Sequence, residues 1–468
     1  VGIKGVGMTP LAVIAKEAGM KVSGSDIGET FITDEILKKA KITPLVGFLP
    51  SHLTSGSTNI DLVITTGAHG GFANAEVIEA KKKGIKVITQ GEAVGVFMNG
   101  EIFGREQIGI SITGTHGKTT TTAMVAGILK GCNLDPSFLI GTGNVLSLGS
   151  SGHFGKGKYF IAEADEYMTE PVFDKTIKFL WQHPKIAIFT NIEFDHPDAY
   201  KTIDDVKDAF LKFANQLSKD AVLIACQDNE NVAEVLKAYS GRRITYGFSK
   251  NNDFVVENVI AKDGKLEFDL TGKGKSLGKF ELNVFGKHNA LNAAAAIIAS
   301  LEVGLSIDAI KKALFSFVGT KRRSEYIGRL ATGAMVFDDY AHHPTEIRST
   351  LSAFKDSFPK SKIVCIFQPH TYSRTKSLFE QFVHSFDNAD TVILTNIYAS
   401  LREQPDPTVS SKMLAEKMKK FKKNVFFLPK LSDVVKYISQ KQFDKNTVII
   451  TMGAGDVYTI NVKLKIRN

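Results

Sequence analysis

The segment Gly114-Thr-His-Gly-Lys-Thr119 carries the residue types with the clearest chemical role in this chain of 468 residues. Its two glycines permit a tight turn that points backbone N–H groups inward, toward an anion. The lysine adds a positive charge, and the final threonine adds a hydroxyl at the predicted start of a helix. Together these groups predict a site for a nucleotide polyphosphate and its Mg²⁺, although the glycines stand two residues closer together than in the standard phosphate-binding loop.

The hydrophobic pattern on either side of this segment predicts the elements that position it. The apolar run from Ile108 to Thr113 is typical of a buried strand, and a helix is predicted from about Thr119 to Lys130. This strand–loop–helix order is the context that phosphate binding requires. An ordinary strand–turn–helix that carries Gly-Lys-Thr by chance is the alternative, and the loop by itself indicates only a nucleotide triphosphate.

Acidic and histidine side chains follow two further predicted strands of the same region. The strand Lys158–Ala162 is followed by Glu163-Ala-Asp-Glu166. The strand Lys185–Thr190 is followed by Asn191-Ile-Glu-Phe-Asp-His-Pro197. Carboxylates at strand ends beside a phosphate loop suit Mg²⁺, and an imidazole can bind a second metal ion. Solvated acids at the edge of a sheet are the alternative, and both stay open at this point.

Residues 1–100 are predicted to form a Rossmann-like unit. The glycine-rich opening, Val1 to Met8, is followed by a helix and then by a predicted strand at Lys21–Asp26. Asp26 lies about twenty residues after the glycines, where a dinucleotide fold places its ribose acceptor. The glycine spacing is not the full G-x-G-x-x-G fingerprint, so a structural glycine turn is the alternative. We also expect that a few residues before Val1 are missing.

Residues from 319 onward again alternate predicted strands and helices. Three apolar strands there end in clusters of acidic, histidine or arginine side chains, within the segments 337–346, 363–374 and 448–456. Polar strand ends aimed in one direction suggest the wall of a cleft. The chain is therefore predicted to be α/β with three domains, namely an N-terminal Rossmann-like domain at 1–100, a central P-loop ATPase-like parallel sheet at 101–318 and a C-terminal Rossmann-like domain at 319–468.

Composition and charge exclude several other classes of protein. Hydrophobic residues make up 43% of the chain, and no apolar run approaches the length of a membrane span. The net charge of +9 would permit nucleic-acid binding, but the lysines are spread over the chain without an arginine-rich arm. Cys132, Cys226 and Cys365 lack metal-binding spacing and are interpreted as reduced thiols. Because no signal peptide is recognised either, we expect a cytoplasmic monomer or homodimer without nucleic-acid or membrane partners.

Six polar segments follow one another in a distinctive order along nearly the whole chain: Thr113-Gly-Thr-His-Gly-Lys-Thr-Thr120, Glu163-Ala-Asp-Glu166, Asn191-x-x-x-Asp-His196, Gly286-x-His-Asn-x-x-Asn292, Asp338-Asp-Tyr-Ala-His-His-Pro-Thr-Glu346 and Gly453-Ala-Gly-Asp456. In residues and in order they resemble the Mur ligases of peptidoglycan synthesis. The resemblance implies that the first domain binds a UDP-sugar and the central domain binds ATP. It also implies that the C-terminal domain closes over both and helps to bind the amino acid.

The resemblance further implies roles for individual residues. The implied catalytic residues are Lys118, His196, His342 and Arg374. The implied Mg²⁺ ligands are Thr119, Glu163 and His196. The implied ATP-binding residues are Gly114, Thr115, His116, Gly117, Lys118, Thr119, Thr120, His288, Asn289, Arg323 and Asp338. The implied UDP-sugar-binding residues are Gly5, Gly7, Met8 and Asp26.

Two amine substrates fit the resemblance. The segments Phe367-Gln-Pro-His-Thr-Tyr-Ser-Arg-Thr375 and Gly453–Val457 are similar to those of family members that join L-alanine to the carboxylate of UDP-N-acetylmuramate through an acyl phosphate. The stretch from Glu163 to His196 is longer by a turn or two of helix, and it resembles members that join a murein tripeptide to the same sugar. Because the C-terminal domain chooses the amine in this family, we expect L-alanine, with tripeptide recycling as the alternative.

Two other function classes stay open from the residues alone. A nucleotide-dependent switch or binding protein would use the same phosphate loop without ligation, but it does not need the polar strand ends of the C-terminal domain. An NAD-dependent oxidoreductase would use the first glycine loop, but it leaves Gly114 to Thr119 unexplained. Release of phosphate from ATP that requires both a UDP-sugar and an amine would separate a ligase from either class.

Overall fold

Two large mixed sheets and three small pairs of strands make up the framework of the part of the chain that the structure describes. The ten-stranded and seven-stranded sheets are mainly parallel, and two of the three pairs are parallel as well. The predicted α/β class with parallel sheets is thereby confirmed, whereas the bounds of the three domains stay predictions. The computed structural model describes residues 1–53, 59–170, 172–262, 264–399, 403–441, 443–464 and 466–467.

The N-terminal domain contains two parallel pairs of short strands, β1 with β2 and β3 with β4, and the helices that cover them. It also has 3₁₀ helices at Pro50–Leu53, Gly71–Ala73 and Glu101–Phe103. Its elements in chain order are α1 (Thr9–Glu17), β1 (Ser25–Asp26), α2 (Asp34–Lys39), β2 (Leu45–Val46), β3 (Leu62–Thr65), α3 (Ala75–Lys82), β4 (Lys86–Thr89) and α4 (Gln90–Asn99).

The opening of the chain connects these two pairs. The N–H groups of Gly2 and Ile3 donate to the carbonyl oxygen of Ser25, and the amino group of Val1 donates to the carbonyl oxygen of Ile64. Only two residues of β1 are in register with β2. The strand predicted at residues 21–26 is therefore too long, because the backbone beside Ser25 is already bonded to the opening segment.

The central domain carries the ten-stranded sheet. Its elements in chain order are β5 (Ile108–Thr113), α5 (Lys118–Gly131), β6 (Ser137–Leu139), β7 (Gly152–His153), β8 (Tyr159–Glu163), β9 (Met168–Glu170), β10 (Asp174–Ile177), β11 (Ile186–Phe189), α6 (Ile203–Asn215), β12 (Val222–Cys226), α7 (Glu230–Ala238), β13 (Arg243–Gly247), β14 (Phe254–Lys262), β15 (Lys265–Gly272), β16 (Lys275–Leu282), α8 (Lys287–Glu302) and α9 (Ile307–Phe315).

The order of strands in this sheet decides which loops meet. The strands lie in the order β16-β15-β14-β13-β12-β11-β5-β8-β6-β7, and the run from β14 to β6 is parallel. Helices α5, α8 and α9 pack on one face, and α6 and α7 pack on the other. Because β5 lies between β11 and β8, the loops that follow these three strands meet at one edge of the sheet.

The C-terminal domain carries the seven-stranded sheet, in the order β21-β20-β19-β22-β18-β17-β23 with β21 to β18 parallel. No helix in the described ranges of the chain has the length and apolar character that a bilayer span requires. The elements of this domain are β17 (Glu325–Leu330), β18 (Met335–Asp339), α10 (Pro344–Ser357), β19 (Lys362–Phe367), α11 (Tyr372–Ser377), α12 (Phe379–Val383), β20 (Thr391–Leu394), α13 (Ser411–Met418), β21 (Val425–Phe427), α14 (Leu431–Lys441), β22 (Thr447–Met452), α15 (Thr459–Lys463) and β23 (Ile466–Arg467).

The stretch between residues 163 and 196 is not extended by helix, contrary to expectation. It contains the antiparallel pair β9–β10 and a 3₁₀ helix at Lys178–Trp181. The carboxylate of Glu170 accepts hydrogen bonds from the N–H groups of Val172 and Phe173, which stabilises the turn between the two strands. Strand β9 and the 3₁₀ helix pack on α4, where a side chain at Gly91 would crowd Thr169 and one at Gly95 would overlap the backbone of Trp181. The added residues therefore connect the central domain to the N-terminal domain.

An aromatic cluster behind β11 supports this part of the sheet. Phe179, Phe189, Phe210 and Phe213 are fully buried, and the ring of Phe210 lies 5.3 Å from that of Phe179 and 5.2 Å from that of Phe189. Trp181, the single tryptophan of the chain, lies two residues after Phe179 of this cluster, and its indole N–H donates to Thr169. Its fluorescence therefore reports on the folding of the central domain.

We expect the substitution Phe210→Ala to destabilise the central domain by about 3–5 kcal/mol, because it leaves a cavity among rings that pack edge to face. The measurement is the urea midpoint followed by Trp181 fluorescence. Phe173→Ala is the control, since that ring is 61% exposed and its loss should leave the midpoint unchanged. Equal midpoints for the wild type and Phe210→Ala would contradict this packing.

Candidate active site

The loop after β5 is braced by the end of its neighbour β11. Gly114 and Gly117 have φ angles of 136° and 83°, which residues other than glycine rarely adopt. The N–H of His116 donates to the side-chain oxygen of Asn191 at 2.8 Å, and the hydroxyl of Thr190 donates to the carbonyl of His116 at 2.6 Å. A Cβ on Gly114 would also overlap the Thr190 hydroxyl. The loop is therefore held in one conformation by the adjacent strand.

The ammonium group of Lys118 is buried inside this loop. It donates to both carboxylate oxygens of Glu166, at 2.8 and 3.1 Å, and to the carbonyl oxygens of Gly114 and Thr115. Burial opposes its charge, but the carboxylates of Glu166 and Asp165 outweigh that effect and raise the pKa of Lys118. The lysine is thus a fixed cation at the start of α5, where a phosphate can bind.

A hydroxyl and a carboxylate lie together on one side of this lysine. Thr119 donates to Glu163 across 3.2 Å, and the other oxygen of Glu163 accepts the N–H of Gly141 at 2.7 Å. Burial raises the pKa of Glu163, and the N–H of Gly141 and the charge of Lys118 offset this only in part. A divalent cation at this position would favour the charged form of the carboxylate and offset its burial, so the pair fits a Mg²⁺ site.

A second group of metal-ligand type lies on the other side of Lys118. Ligand atoms of Asp165, Glu166 and His196 all lie within 4.8 Å of one another. His196 has a φ of 58°, and its Nε2 is 4.0 Å from Glu166. Two carboxylates and one imidazole fit a divalent cation that accepts mixed oxygen and nitrogen ligands. The structure therefore brings Thr119, Glu163 and His196 around one lysine, as two adjacent groups rather than one.

A cavity of about 510 Å³ opens beside the phosphate loop, between α8 and the C-terminal sheet. Part of its wall is apolar and aromatic, with Phe285, Phe317, Tyr326 and Phe337. A flat heterocycle such as adenine fits a wall of this kind. Of the predicted ATP-binding residues, those that line the cavity are His116, Gly117, Thr120, His288, Asn289 and Arg323. Those that lie outside its lining are Gly114, Thr115, Lys118, Thr119 and Asp338.

The first turn of α8 places His288 and Asn289 at this cavity. The amide of Asn289 donates to the carbonyl oxygen of Phe285 at 2.8 Å and accepts from Asn292 at 3.0 Å. Burial and the charge of Arg323 lower the pKa of His288 to about 4, so its imidazole is neutral near pH 7. The Asn289 side chain therefore fixes the helix start as well as facing the cavity.

The structure separates the roles of two adjacent aspartates at the end of β18. Asp338 faces away from the cavity, where it accepts from Arg322 at 2.9 Å and from Thr451 at 2.6 Å. Asp339 lines the cavity, and burial raises its pKa to about 6 against the charge of Arg323. Successive residues of a strand point to opposite faces. The rule predicts that only one of the two aspartates faces the cavity; that residue is Asp339, which the predicted ATP-binding set lacks, and not Asp338.

His342 and Arg374 lie near the second metal-ligand group. The guanidinium of Arg374 donates to Asp195 at 2.8 Å, directly beside His196 in sequence. Burial opposes ionisation of Asp195, but His196 and Arg374 hold its pKa well below the ordinary value. Burial lowers the pKa of His342 to about 4. The C-terminal domain thus presents one fixed cation and one neutral imidazole to the end of β11.

Two carboxylates missing from the predicted set surround His116. Its Nε2 lies 3.4 Å from Glu193 and its Nδ1 lies 3.2 Å from Glu346. Burial opposes the charge of His116, but Glu346 and Glu193 outweigh it and raise its pKa to about 9. Both glutamates belong to polar segments that the sequence analysis describes. The sequence does not reveal the contact between the central and C-terminal domains that brings both carboxylates to His116.

The four predicted UDP-sugar residues lie apart from this cavity. Asp26 is buried and accepts from the N–H groups of Lys4 and Ile27, at 2.7 and 2.8 Å, so that its carboxylate organises the glycine loop. Met8 belongs to the core between α1 and α4. Gly5 and Gly7 shape the same loop, and a side chain at Gly7 would crowd Gln90. A second cavity of about 330 Å³ adjoins this loop and is lined by Lys4, Asp34, Lys38 and Lys41 among others.

Comparisons with known proteins identify the family. The Mur ligase family catalytic domain matches residues 1–101, the Mur ligase middle domain matches residues 112–300, and the Mur ligase glutamate ligase domain matches residues 322–455. A UDP-N-acetylmuramate–L-alanine ligase of Carboxydothermus hydrogenoformans is 38% identical over 464 residues, which are 99% of this chain and 95% of the relative. The chain belongs to the Mur ligase family.

Solved structures of Mur ligases have the same architecture. The UDP-N-acetylmuramate–alanine ligase of Thermotoga maritima has a TM-score of 0.80 at 28% identity, over 99% of this chain and 96% of that one. A murein peptide ligase of Psychrobacter arcticus has a TM-score of 0.71 at 25% identity, with the same coverage of 99% and 96%. The Mur ligase fold therefore extends over the chain as a whole.

The charge on His116 makes the stability of this Mur ligase depend on pH. A histidine whose pKa is raised from 6.5 to about 9 in the folded state stabilises fully below pH 6.5, and this effect is lost as the pH rises through 9. The pH-dependent part amounts to about 3 kcal/mol at most. We therefore expect the urea midpoint of the chelator-treated wild type to fall between pH 6.5 and 9 more steeply than that of His116→Gln. Parallel curves would contradict the raised pKa.

Proposed function

We propose that this Mur ligase joins L-alanine to the lactyl carboxylate of UDP-N-acetylmuramate at the expense of ATP. One observation carries the proposal: two adjacent groups, Thr119 with Glu163 and Glu166 with His196, flank the ammonium group of Lys118 in the phosphate loop. Lys118 lies 2.8 Å from Glu166, Thr119 lies 3.2 Å from Glu163, and His196 lies 4.0 Å from Glu166. The relative named above that is 38% identical is a UDP-N-acetylmuramate–L-alanine ligase, which supports the same substrates.

The reaction needs activation, because a carboxylate is a poor electrophile toward an amine in water. An oxygen of the lactyl carboxylate attacks the γ-phosphorus of ATP, ADP leaves, and an acyl phosphate forms. The amine of alanine, after losing a proton, attacks the acyl carbonyl, and inorganic phosphate leaves from the tetrahedral intermediate. In both steps the protein holds the reacting groups in place and neutralises negative charge.

Residues of the chain divide this work between two sides of the phosphates. Lys118 would pair with the phosphate oxygens in place of Glu166, and the N–H groups of the loop would bind them from below. His342 and Arg374, which approach the end of β11 from the C-terminal domain, would lie near the amino acid and the acyl phosphate. Burial lowers the pKa of His342 to about 4, so this imidazole would act near pH 7 as a neutral group that orients the substrates rather than as a base.

Magnesium would be held by the two groups that flank Lys118. Thr119 and Glu163 supply a hydroxyl and a carboxylate, and Asp165, Glu166 and His196 supply two carboxylates and an imidazole. When bound, Mg²⁺ neutralises the charge that builds up on the phosphate oxygens. Adenine would occupy the aromatic cavity, where Arg323 and Asp339 can contact the nucleotide.

The UDP-sugar would bind to the N-terminal domain. Lys4, Lys38 and Lys41 line the second cavity, and three ammonium groups suit a diphosphate. The buried Asp26 would support the loop there through the N–H of Lys4, and Gly5, Gly7 and Met8 would shape it. The three cysteines are unpaired, which supports action in the cytoplasm, where the reaction's ATP is available.

A direct test measures phosphate release from ATP with and without UDP-N-acetylmuramate and each candidate amine, together with the mass of the product. Alanine, glycine, serine and the murein tripeptide make up the amine panel. We expect phosphate release to require both substrates and the product to carry alanine. If product formed only with the tripeptide, the amine substrate would be the tripeptide and not L-alanine. If the rate of phosphate release did not depend on either substrate, the protein would not be a ligase.

The substitution Lys118→Ala should abolish ligation, by more than about 1000-fold, because it removes the cation that binds the transferred phosphate. Binding of UDP-N-acetylmuramate, measured by calorimetry, should change little, since the proposed sugar site lies in another domain. Lys130→Ala is the matched control at the exposed end of the same helix, and it should keep full activity. Loss of ligation and sugar binding together would contradict the division of sites.

The substitution Glu163→Gln should raise the Mg²⁺ concentration for half-maximal activity by at least about tenfold, which corresponds to about 1.4 kcal/mol of lost binding energy. An amide keeps the shape and the hydrogen bond from Gly141 but removes the negative charge. Activity is measured over a Mg²⁺ titration at fixed ATP. A variant with an unchanged Mg²⁺ dependence would show that Glu163 is not a ligand.

A further inference from the structure

Three side chains of metal-ligand type meet where the phosphate loop contacts the C-terminal domain. They are His116 of the loop, Glu193 after β11 and His343 at the start of α10, and their ligand atoms all lie within 4.8 Å of one another. Glu193 Oε2 is 3.4 Å from His116 Nε2 and 3.8 Å from His343 Nδ1. None of the three belongs to the two groups assigned above to Mg²⁺.

The spacing matches what a small transition metal requires. Metal–ligand bonds of about 2.0–2.2 Å in tetrahedral geometry place neighbouring ligand atoms roughly 3.4 Å apart. The carboxylate oxygen of Glu193 is within a few tenths of an ångström of that separation from each of the two imidazole nitrogens, and the two nitrogens lie within 4.8 Å of each other. Two histidines with one glutamate form a known type of open zinc site, in which the fourth position is free for water or another ligand.

The second nitrogen of each ring is already supported from outside. His116 Nδ1 lies 3.2 Å from the carboxylate of Glu346, and His343 Nε2 lies 3.3 Å from the carbonyl oxygen of Phe194. Histidines that bind metals commonly donate their other N–H to a carboxylate or a backbone carbonyl, which fixes the ring and its tautomer. The arrangement therefore leaves His116 Nε2 and His343 Nδ1 facing Glu193, and a metal ion that binds there takes the place of the proton on His116 Nε2.

The two ring nitrogens that face Glu193 have only long polar contacts when no ion is present. Both ring nitrogens of His116 are buried and make no hydrogen bond of good geometry with the described residues. His343 Nδ1 accepts only the N–H of Thr345, at 3.3 Å, and the hydroxyl of Thr345 donates to Glu193 at 2.6 Å. His116 and Glu193 line the large cavity, so an ion can reach the group from solvent. The charged imidazole of His116 thus contacts two carboxylates without a well-aligned hydrogen bond, and a divalent cation can replace its proton between the same groups.

We propose that His116, Glu193 and His343 bind one divalent transition metal ion of the Zn²⁺ class, which fastens the phosphate loop to the C-terminal domain. Two nitrogen donors favour Zn²⁺, Co²⁺ or Ni²⁺ over Mg²⁺, which keeps oxygen ligands. Because two ligands come from the central domain and one from the C-terminal domain, the ion holds the domains in the arrangement seen here. This site does not depend on the identity of the ligase substrates.

The test uses the full chain after chelator treatment, with Co²⁺ as a spectroscopic probe and Zn²⁺ as competitor, in the absence of nucleotide. Millimolar Mg²⁺ is present throughout to occupy the groups assigned to Mg²⁺, and under these conditions we expect one Co²⁺ per chain with visible absorption bands, displaced by Zn²⁺. His343→Asn keeps a residue that can cap α10 but removes the imidazole. It should weaken Co²⁺ binding by more than about 100-fold, beyond the loss of 10- to 100-fold typical of an outer partner, whereas Glu346→Gln should weaken it by about tenfold.

Two histidine variants control for binding elsewhere. The ring nitrogens of His153 lie 2.8 Å from Glu17 and 3.1 Å from Asp135. His153→Asn therefore tests whether one histidine between two carboxylates, in a group with a single imidazole, binds the ion. His196→Asn tests the group assigned to Mg²⁺. Both variants should keep the Co²⁺ spectrum and affinity of the wild type. Absence of Co²⁺ binding by the wild type, or binding that His196→Asn removes and His343→Asn leaves intact, would overturn the proposal. Circular dichroism of each variant confirms that it is folded.

Discussion

The buried ion pair between Lys118 and Glu166 is the interaction on which the rest of the site depends. The two groups lie 2.8 Å apart, and breaking such a pair inside a protein costs about 3–5 kcal/mol because one charge is left without a partner. Glu166 therefore keeps the lysine charged and in place. The same carboxylate lies within reach of Asp165 and His196, so it belongs both to the ion pair and to the second group of metal-ligand type.

The segment that follows β11 connects this ion pair to the remaining parts of the protein. Thr190 and Asn191 brace the phosphate loop, and His196 joins the metal-ligand group. Between them, Glu193 accepts from Thr345 of the C-terminal domain at 2.6 Å, and Asp195 accepts from Arg374 at 2.8 Å. The segment that follows a single strand thus contacts the phosphate loop, the second group of metal-ligand type and the C-terminal domain.

The local parts of this arrangement were predictable, and the contacts between distant segments were not. An apolar run before Gly114 and an amphipathic one after Thr119 predict β5 and α5 from their periodicity alone. Only one of the neighbouring residues Asp338 and Asp339 faces the cavity. The choice between them depends on which face of β18 is turned toward the central domain, and the sequence does not show this. The acceptors of His116 come from a loop and a helix far away in sequence. The hairpin between residues 163 and 196 escaped prediction because Glu170 closes its turn through side-chain bonds that no hydrophobic pattern records.

The contacts between the central and C-terminal domains are of two physical kinds, and they differ in how they respond to rotation. Phe285, just before α8, packs against Phe337, Phe354 and Phe358 of the C-terminal domain, with ring centroids 6.2, 4.9 and 5.9 Å away. Apolar contact has no preferred direction, so these rings can stay in contact while the domains turn. Charged hydrogen bonds such as that of Arg374 weaken steeply once their geometry is lost. If the C-terminal domain rotated about the phenylalanine cluster, the polar contacts around the phosphate loop would therefore break first. The aromatic contact would persist through the rotation, whereas the charged contacts hold the two domains in one orientation.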